Sequence, residues 1–203
     1  MGLGRIIGHY GRVPETDRLA GKAGRTIEFD RTKDIVARHL SARGCDVLDV
    51  GGGTGHYSFW LASLGHRVTL VDPVPNHVAS ARARNEAMPQ RLHAIHEGEA
   101  AALPCAADSF DVVLNLGPMY HLVAAGDRQR ALAELRRVMR ADAVLMSAYI
   151  SRFAPLLDGY VKGYVDDPRY VVRMVCDPRH IRHVEDDPLA ELAAVTRPAG
   201  VAE

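Results

Sequence analysis

The chain has 203 residues, of which 47% are hydrophobic and 25% charged, values that are ordinary for a globular domain with a substantial core. Lysine plus arginine and aspartate plus glutamate each total 25, so the formal net charge is zero. The chain also lacks runs of basic residues alternating with aromatic ones, which are typical of nucleic-acid binders, and we expect no nucleic-acid partner.

The sequence also predicts a location. No stretch approaches the roughly 18 consecutive apolar residues that cross a bilayer, and the opening residues MGLGRIIGHYGRV lack the hydrophobic core of a signal peptide. Cys45, Cys105 and Cys176 are far apart and odd in number, as is typical of free thiols in a reducing compartment. We therefore expect a cytoplasmic protein without membrane contact.

Two histidine pairs have the spacing of metal ligands, namely His93 with His96 and His180 with His183. Neither pair has a cysteine partner or a well-placed third ligand, although Asp186 follows the second pair. Such pairs arise by chance in a chain with ten histidines, and we expect no bound metal.

Amphipathic segments and short runs rich in valine and leucine alternate along residues 28–150. Gly65 follows the second amphipathic segment, where it is typical of a helix end. The predicted helices cover 28–40, 57–64, 76–86 and 127–140, and the predicted strands cover 46–50, 67–72, 92–97, 110–116 and 143–150.

This alternation of strands and helices predicts an α/β fold with a mainly parallel sheet, doubly wound and Rossmann-like. Ligands of such sheets bind outside the carboxyl ends of the strands, where the strand order reverses. The residues that end the first, second and fourth strands are therefore the candidates for a binding site.

A glycine turn follows the first strand, within the stretch Val47–Tyr57 that reads VLDVGGGTGHY. Gly51, Gly53 and Gly55 allow positive φ angles and bring backbone N–H groups close to a ligand. A dinucleotide fingerprint started at Gly51 or Gly53 meets His or Ser where Gly or Ala is expected. Asp49, two residues before the first glycine, instead places a carboxylate close to the turn. There it could pair with the cationic amino group of a ligand that carries an amino acid, such as S-adenosylmethionine.

The second strand ends in Asp72, which lies 21 residues after Gly51. This spacing is close to the roughly 20 residues that separate a glycine turn from a carboxylate that accepts both hydroxyls of a ribose. Asp72 therefore predicts a cofactor that carries a ribose.

Four motifs in the order DVLDVGGGTG, VTLVD, GEAAALPCAADSFDVV and LNLGPMYHL make residues 28–152 resemble the class I S-adenosylmethionine-dependent methyltransferases of the small-molecule type. The resemblance implies S-adenosylmethionine as the cofactor, with the glycine turn around its methionine part, Asp72 on its ribose and Glu99 beside its adenine. The implied cofactor-binding residues are Asp49, Gly51, Gly53, Thr54, Gly55, Asp72, Pro73, Glu99, Ala100, Leu116 and Gly117.

Methyl transfer depends on positioning and on exclusion of water, so no nucleophilic residue is needed. A hydroxyl acceptor would benefit from a general base, and His121 is the best-placed candidate, with Tyr120 as its orienting group. A histidine at this position equally fits packing against the following helix.

The chain departs from the family after Ile150, where five prolines interrupt the remaining residues and Tyr170–Cys176 is the best candidate strand. We predict an N-terminal lid segment over 1–27, the methyltransferase core over 28–152 and an atypical C-terminal segment over 153–203, with an acceptor pocket formed by the segments that flank the core. The C-terminal strands are expected to be missing or reduced. A second subunit would then cover the open sheet edge as a homodimer, or the acceptor pocket would stay incomplete.

The resulting interpretation is a methyltransferase that methylates an oxygen or nitrogen atom of a small molecule, such as a secondary metabolite. The alternative is a cofactor-binding protein of this fold without methyl transfer, with a structural or regulatory role or with another reaction such as cyclisation. A nicotinamide oxidoreductase is a further alternative, for which the glycine spacing fits poorly.

Overall fold

The computed structural model describes residues 23–41, 44–122, 124–151 and 153–170. Contacts divide the chain into two compact units, Met1–Ala148 and Tyr149–Glu203. The predicted lid segment over 1–27 lies almost entirely outside the described residues, and so does the predicted C-terminal segment beyond residue 170. The division into lid, core and C-terminal segment therefore stays a prediction.

The described part of the first unit contains the predicted order of helices and strands, and a short 3-10 turn, Pro118–Tyr120, follows the fourth strand. The elements are α1 (Ala23–Ala37), β1 (Asp46–Val50), α2 (His56–Ser63), β2 (Arg67–Asp72), α3 (Pro75–Ala87), β3 (Ala94–Glu97), β4 (Phe110–Asn115), α4 (Ala125–Val138) and β5 (Met139–Ser147).

Helix α1 begins at Ala23 rather than at residue 28, and the start of β5 also differs from its prediction. The strand begins at Met139, directly after α4, rather than at residue 143. Arg140, assigned to the helix by its spacing, instead pairs through its guanidinium with Asp111 at 2.6 Å and Asp46 at 3.0 Å. These two carboxylates lie at the beginnings of β4 and β1, so the ion pairs hold Arg140 in an extended backbone.

The five strands form one parallel sheet in the order β3-β2-β1-β4-β5. The chain starts in the middle with β1, extends outward to β3, and then crosses to β4 on the other side of β1. The strand order therefore reverses between β1 and β4, where the fold leaves a crevice at the carboxyl ends. This arrangement confirms the predicted Rossmann-like α/β fold.

The sheet is the centre of the hydrophobic core. The central strands are buried almost completely, as expected for a parallel sheet covered on both faces. Phe59 and Leu61 of α2 pack with the aliphatic side chains of β1, β2 and β4. The core thus holds the strand ends in a fixed arrangement, and the side chains at those ends are positioned by the same packing.

The second unit contains α5 (Ala154–Val161) and a 3-10 turn, Tyr164–Asp166. A Cβ built on Gly159 would overlap the ring of Tyr170, so the close approach of that ring requires a glycine. The predicted strand Tyr170–Cys176 lies outside the described residues except for its first residue. The reduced C-terminal sheet accordingly stays a prediction.

Candidate functional site

A cavity of about 430 Å³ opens at the carboxyl end of the sheet, in the first unit. The residues that end β1, β2 and β4 line it, together with residues of α1, α3 and α4. Its volume lies within the range of pockets that bind small molecules and cofactors. The cavity coincides with the reversal of strand order.

The structure brings twelve of the thirteen predicted site residues to this cavity. They are Asp49, Gly51, Gly53, Thr54, Asp72, Pro73, Glu99, Ala100, Leu116, Gly117, Tyr120 and His121. The thirteenth, Gly55, is not part of the lining. The roles of all thirteen stay predictions.

The glycine turn brings main chain and carboxylate close together. A Cβ built on Gly52 would lie 2.6 Å from Oδ2 of Asp49, so this carboxylate reaches the turn because the residue is glycine. Gly53 has a φ of +59°, and a Cβ built on it meets nothing within 4 Å. Since Gly53 also lines the cavity, the space beside it is available to a ligand.

Gly55 has a structural position instead. It caps α2 with a φ of +86°, and a Cβ there would lie 2.9 Å from the ring of Phe59 and 3.2 Å from Leu70. This glycine therefore allows close packing of α2 on β2, without contributing a surface to the cavity.

Asp49 is a buried carboxylate at the end of β1, with 2% of its surface exposed. The hydroxyl of Ser58 in α2 donates a hydrogen bond of 2.6 Å to its Oδ2. Burial raises the pKa of Asp49 to about 6, the negative charge of Asp72 adds to the rise, and the Ser58 hydrogen bond opposes it. The site thus favours a ligand that brings a positive charge to this carboxylate.

Asp72, at the end of β2, is held by three donors. The Gly53 amide donates to its Oδ2 at 2.8 Å, and the Val74 amide donates to its Oδ1 at 2.9 Å. Nδ1 of His77 lies 3.1 Å from the same Oδ1. These contacts orient the carboxylate of a residue that is only 4% exposed and still lines the cavity.

The loop after β3 provides another wall through Glu99, which is exposed, and Ala100, which is buried. Helix α4 fixes this loop, because Glu134 accepts the Leu103 amide at 2.8 Å. Arg137 donates to the carbonyl of the same Leu103 at 3.0 Å. The wall is therefore anchored outside the cavity.

The segment after β4 carries the predicted catalytic pair. The rings of Tyr120 and His121 pack with centroids 4.6 Å apart, and both line the cavity. A Cβ built on Gly117 would lie 3.7 Å from the Tyr120 hydroxyl, which places this hydroxyl beside the tip of β4. Leu116 completes the tip.

Several lining residues were not predicted from the sequence. Glu28 and Thr32 come from α1, where Phe29 packs against Tyr57 with ring centroids 4.9 Å apart. Only the tertiary packing of α1 brings these residues to the cavity, so no local signal marks them. His77 could have been found, because it lies in the first turn of the helix that follows Asp72.

Other residues of the cavity rim come from α4. Asp127 and Arg130 line the cavity and form an ion pair with each other. The predicted acceptor segments before residue 28 lie mostly outside the described residues, and those after residue 150 belong to the second unit. Across the parts of the chain that the structure describes, no three histidine, cysteine or acidic side chains form a group that could hold a metal.

A doubly wound sheet with a glycine turn and two buried carboxylates is typical of Rossmann-like proteins that bind small ligands at the carboxyl ends of their strands. Comparison with known proteins makes the class specific. Residues 47–142 match the family model described as a methyltransferase domain. Methyltransferase GfsG of Streptomyces halstedii is 29% identical over 96% of this chain and 71% of its own length.

Malonyl-[acyl-carrier protein] O-methyltransferase of Pectobacterium atrosepticum is 31% identical over 77% of this chain, which spans about half, 52%, of that protein. Among solved structures, magnesium protoporphyrin IX methyltransferase of Synechocystis, with bound S-adenosylmethionine, aligns with a TM-score of 0.60 and 18% identity over 75% of this chain and 78% of its own. That likeness shows the shared fold. Residues 47–142 therefore match a methyltransferase domain, and the relatives support the predicted class I S-adenosylmethionine-dependent methyltransferase.

The residues present fit the family's cofactor. S-adenosylmethionine carries an ammonium and a sulfonium, and the cavity offers Asp49 and Asp72 as buried carboxylates whose charges disfavour each other. The open space beside Gly53 would allow a ligand to approach the backbone closely. The charge and shape of the cavity thus agree with the predicted cofactor.

Among the helices that the structure describes, none has the length and apolar character needed to cross a membrane.

Proposed function

We propose that the protein transfers a methyl group from S-adenosylmethionine to an oxygen or nitrogen atom of a small molecule, with a hydroxyl as the favoured acceptor. The observation that carries this proposal is the pair of buried carboxylates, Asp49 and Asp72, at the glycine turn of one cavity. Small-molecule acceptors are supported by the zero net charge, which gives no steering field for nucleic acid.

The cofactor would be held along the carboxyl ends of three strands. Asp49 would face the ammonium of the methionine part, and Asp72 would accept hydrogen from the ribose. Glu99 would accept a hydrogen bond from the exocyclic amine of adenine. Leu116 and Gly117 would lie near the sulfonium at the tip of β4.

When bound, the cofactor supplies a methyl group that is already activated by its positively charged sulfur. The protein then has to align the acceptor atom with this methyl group and keep water away. His121 would take the proton from an acceptor hydroxyl as it attacks, and the packed ring of Tyr120 would fix the orientation of the imidazole. The malonyl-[acyl-carrier protein] O-methyltransferase among the relatives supports oxygen as the acceptor atom.

The experiment combines binding and transfer. Titration calorimetry with S-adenosylhomocysteine measures the cofactor site, and Asp72→Ala serves as the variant that should lose binding. A transfer assay with labelled S-adenosylmethionine over a panel of hydroxylated and amino metabolites then measures activity. Absence of binding would contradict the proposal, and binding without transfer to any acceptor would favour the cofactor-binding alternative.

The predicted homodimer and cytoplasmic location belong to the same proposal. Strand β5 has nine residues and pairs with β4 along one side, and within the described residues no further strand follows it. A long open edge is a liability that a second subunit would cover. Light scattering after gel filtration tests this expectation, and a monomer at micromolar concentration would contradict it.

A further inference from the structure

The carboxylate of Asp72 is more heavily occupied on one oxygen than on the other. Oδ1 accepts the Val74 amide at 2.9 Å and also contacts Nδ1 of His77 at 3.1 Å. Oδ2 accepts one donor, the Gly53 amide at 2.8 Å. The two oxygens of this cavity residue therefore differ in what they can still accept.

His77 is fixed in this contact by its position. It lies in the first turn of α3, behind Pro75, and its own amide donates to the Val74 carbonyl at 3.0 Å. The side chain is 9% exposed, and His77 lines the same cavity as Asp72. Because a carboxylate only accepts, the ring must carry a proton on Nδ1 to form this hydrogen bond.

A carboxylate oxygen has about two lone pairs that can accept hydrogen bonds. With two donors on Oδ1 and one on Oδ2, Asp72 retains capacity for one further donor, on Oδ2. A ribose offers two neighbouring hydroxyls, and a carboxylate that binds both uses a lone pair on each oxygen. In this site both lone pairs of Oδ1 are already filled, by the Val74 amide and by His77.

We propose that His77 is a specificity-determining residue of the nucleoside subsite: by filling Oδ1 of Asp72, it restricts the carboxylate to one ribose hydroxyl, accepted through Oδ2. This inference rests on the proposed function, because it assumes that the ligand carries a ribose. It differs from the sequence-based expectation, in which Asp72 accepts both hydroxyls. The site should consequently tolerate a cofactor analogue that lacks the other hydroxyl.

The test compares S-adenosylhomocysteine with its 2′-deoxy and 3′-deoxy analogues by titration calorimetry. For the unaltered protein, one analogue should lose about ten- to hundredfold in affinity, as for a hydrogen bond to a charged group, while the other stays within about threefold of the parent compound. In His77→Leu, Oδ1 regains a lone pair, and both analogues should then bind more weakly than the parent. His39→Leu, an exposed position in the segment after α1, is the matched control and should keep the one-sided pattern.

Equal losses for both analogues in the unaltered protein would overturn the proposal, and so would no loss for either. These measurements need no variant, so they decide even if His77→Leu does not fold. A folded His77→Leu that keeps the one-sided pattern would also overturn it. Failure of the proposed function gives a different result, because S-adenosylhomocysteine itself would then not bind.

Discussion

Replacing Asp49 by asparagine should stabilise the protein while weakening its cofactor site. Asp49 is 2% exposed, and its charged form is disfavoured by burial and by the nearby charge of Asp72. Asparagine has nearly the same shape, and its Oδ1 can accept the hydrogen bond that Ser58 now donates to the carboxylate. The substitution therefore removes the charge and keeps most of the packing.

The magnitude follows from the pKa. A rise from 3.8 to about 6 means that ionising Asp49 costs the folded state roughly 3 kcal/mol more than the unfolded state. Because the folded carboxyl holds its proton more tightly, this cost is absent below pH 3.8, grows between pH 3.8 and about 6, and is complete above that range. Asp49→Asn should thus gain up to about 3 kcal/mol at pH 7.5, or roughly 6 to 12 °C in Tm, and almost nothing at pH 4.

Denaturant unfolding at several pH values between 4 and 8 measures this difference. Asp142→Asn is the matched control, because it makes the same change at an exposed position of β5 and should leave stability nearly unchanged. A gain for Asp49→Asn that does not depend on pH would refute the electrostatic reasoning. A loss of stability at pH 7.5 would show that the carboxylate is needed for folding.

The same variant should bind S-adenosylmethionine more weakly at pH 7.5, by about ten- to hundredfold, since a charge-assisted contact to the ammonium is lost. In the unaltered protein the affinity should fall as the pH drops below about 6, where Asp49 takes up a proton. The affinity of Asp49→Asn should not follow that fall. Calorimetry at pH 5 and pH 7.5 compares the two proteins, and parallel pH dependences would contradict the assigned role.

Three further predictions concern other parts of the cavity. Asp72→Ala should lower the affinity for S-adenosylhomocysteine by about ten- to hundredfold in calorimetry, and unchanged binding would remove Asp72 from the site. His121→Ala should lower kcat in a transfer assay and leave the cofactor Kd unchanged, whereas an unaltered rate would make His121 a packing residue. Gly53→Ala and Gly65→Ala both place a Cβ in open space at positive φ, so each should cost about 1 to 2 kcal/mol of stability in denaturant unfolding. Only Gly53→Ala should also weaken cofactor binding, because Gly53 lines the cavity and Gly65 does not, and equal binding by both variants would contradict this.

The local sequence predicts much of the site because the decisive features are short-range. Asp49, the glycine turn and α2 follow one another within a few residues, and the valine-rich strands around them indicate a buried sheet. The predicted end of β2 likewise identifies Asp72 as a candidate residue of the binding site. Once the parallel sheet is predicted, its topology alone brings these strand ends together.

The features that the sequence could not show depend on tertiary contacts. The boundary between α4 and β5 is displaced because Arg140 pairs with carboxylates on two other strands. Glu28 reaches the cavity because α1 packs through Phe29 on Tyr57. Helical periodicity contains no information on such partners, since they are distant in the sequence.

The cost of burying Asp49 and its expected use are linked. A carboxylate placed in the core at the end of β1, beside the charge of Asp72, destabilises the protein at neutral pH. A cationic ligand would relieve this cost, so part of its binding free energy would come from the strained electrostatics of the unliganded site. Thermodynamic linkage then requires that ligand binding raise the stability more at pH 7.5 than at pH 5, because the carboxylate is largely protonated at the lower value. The same burial that weakens the unliganded fold would thus make it selective for a positive charge.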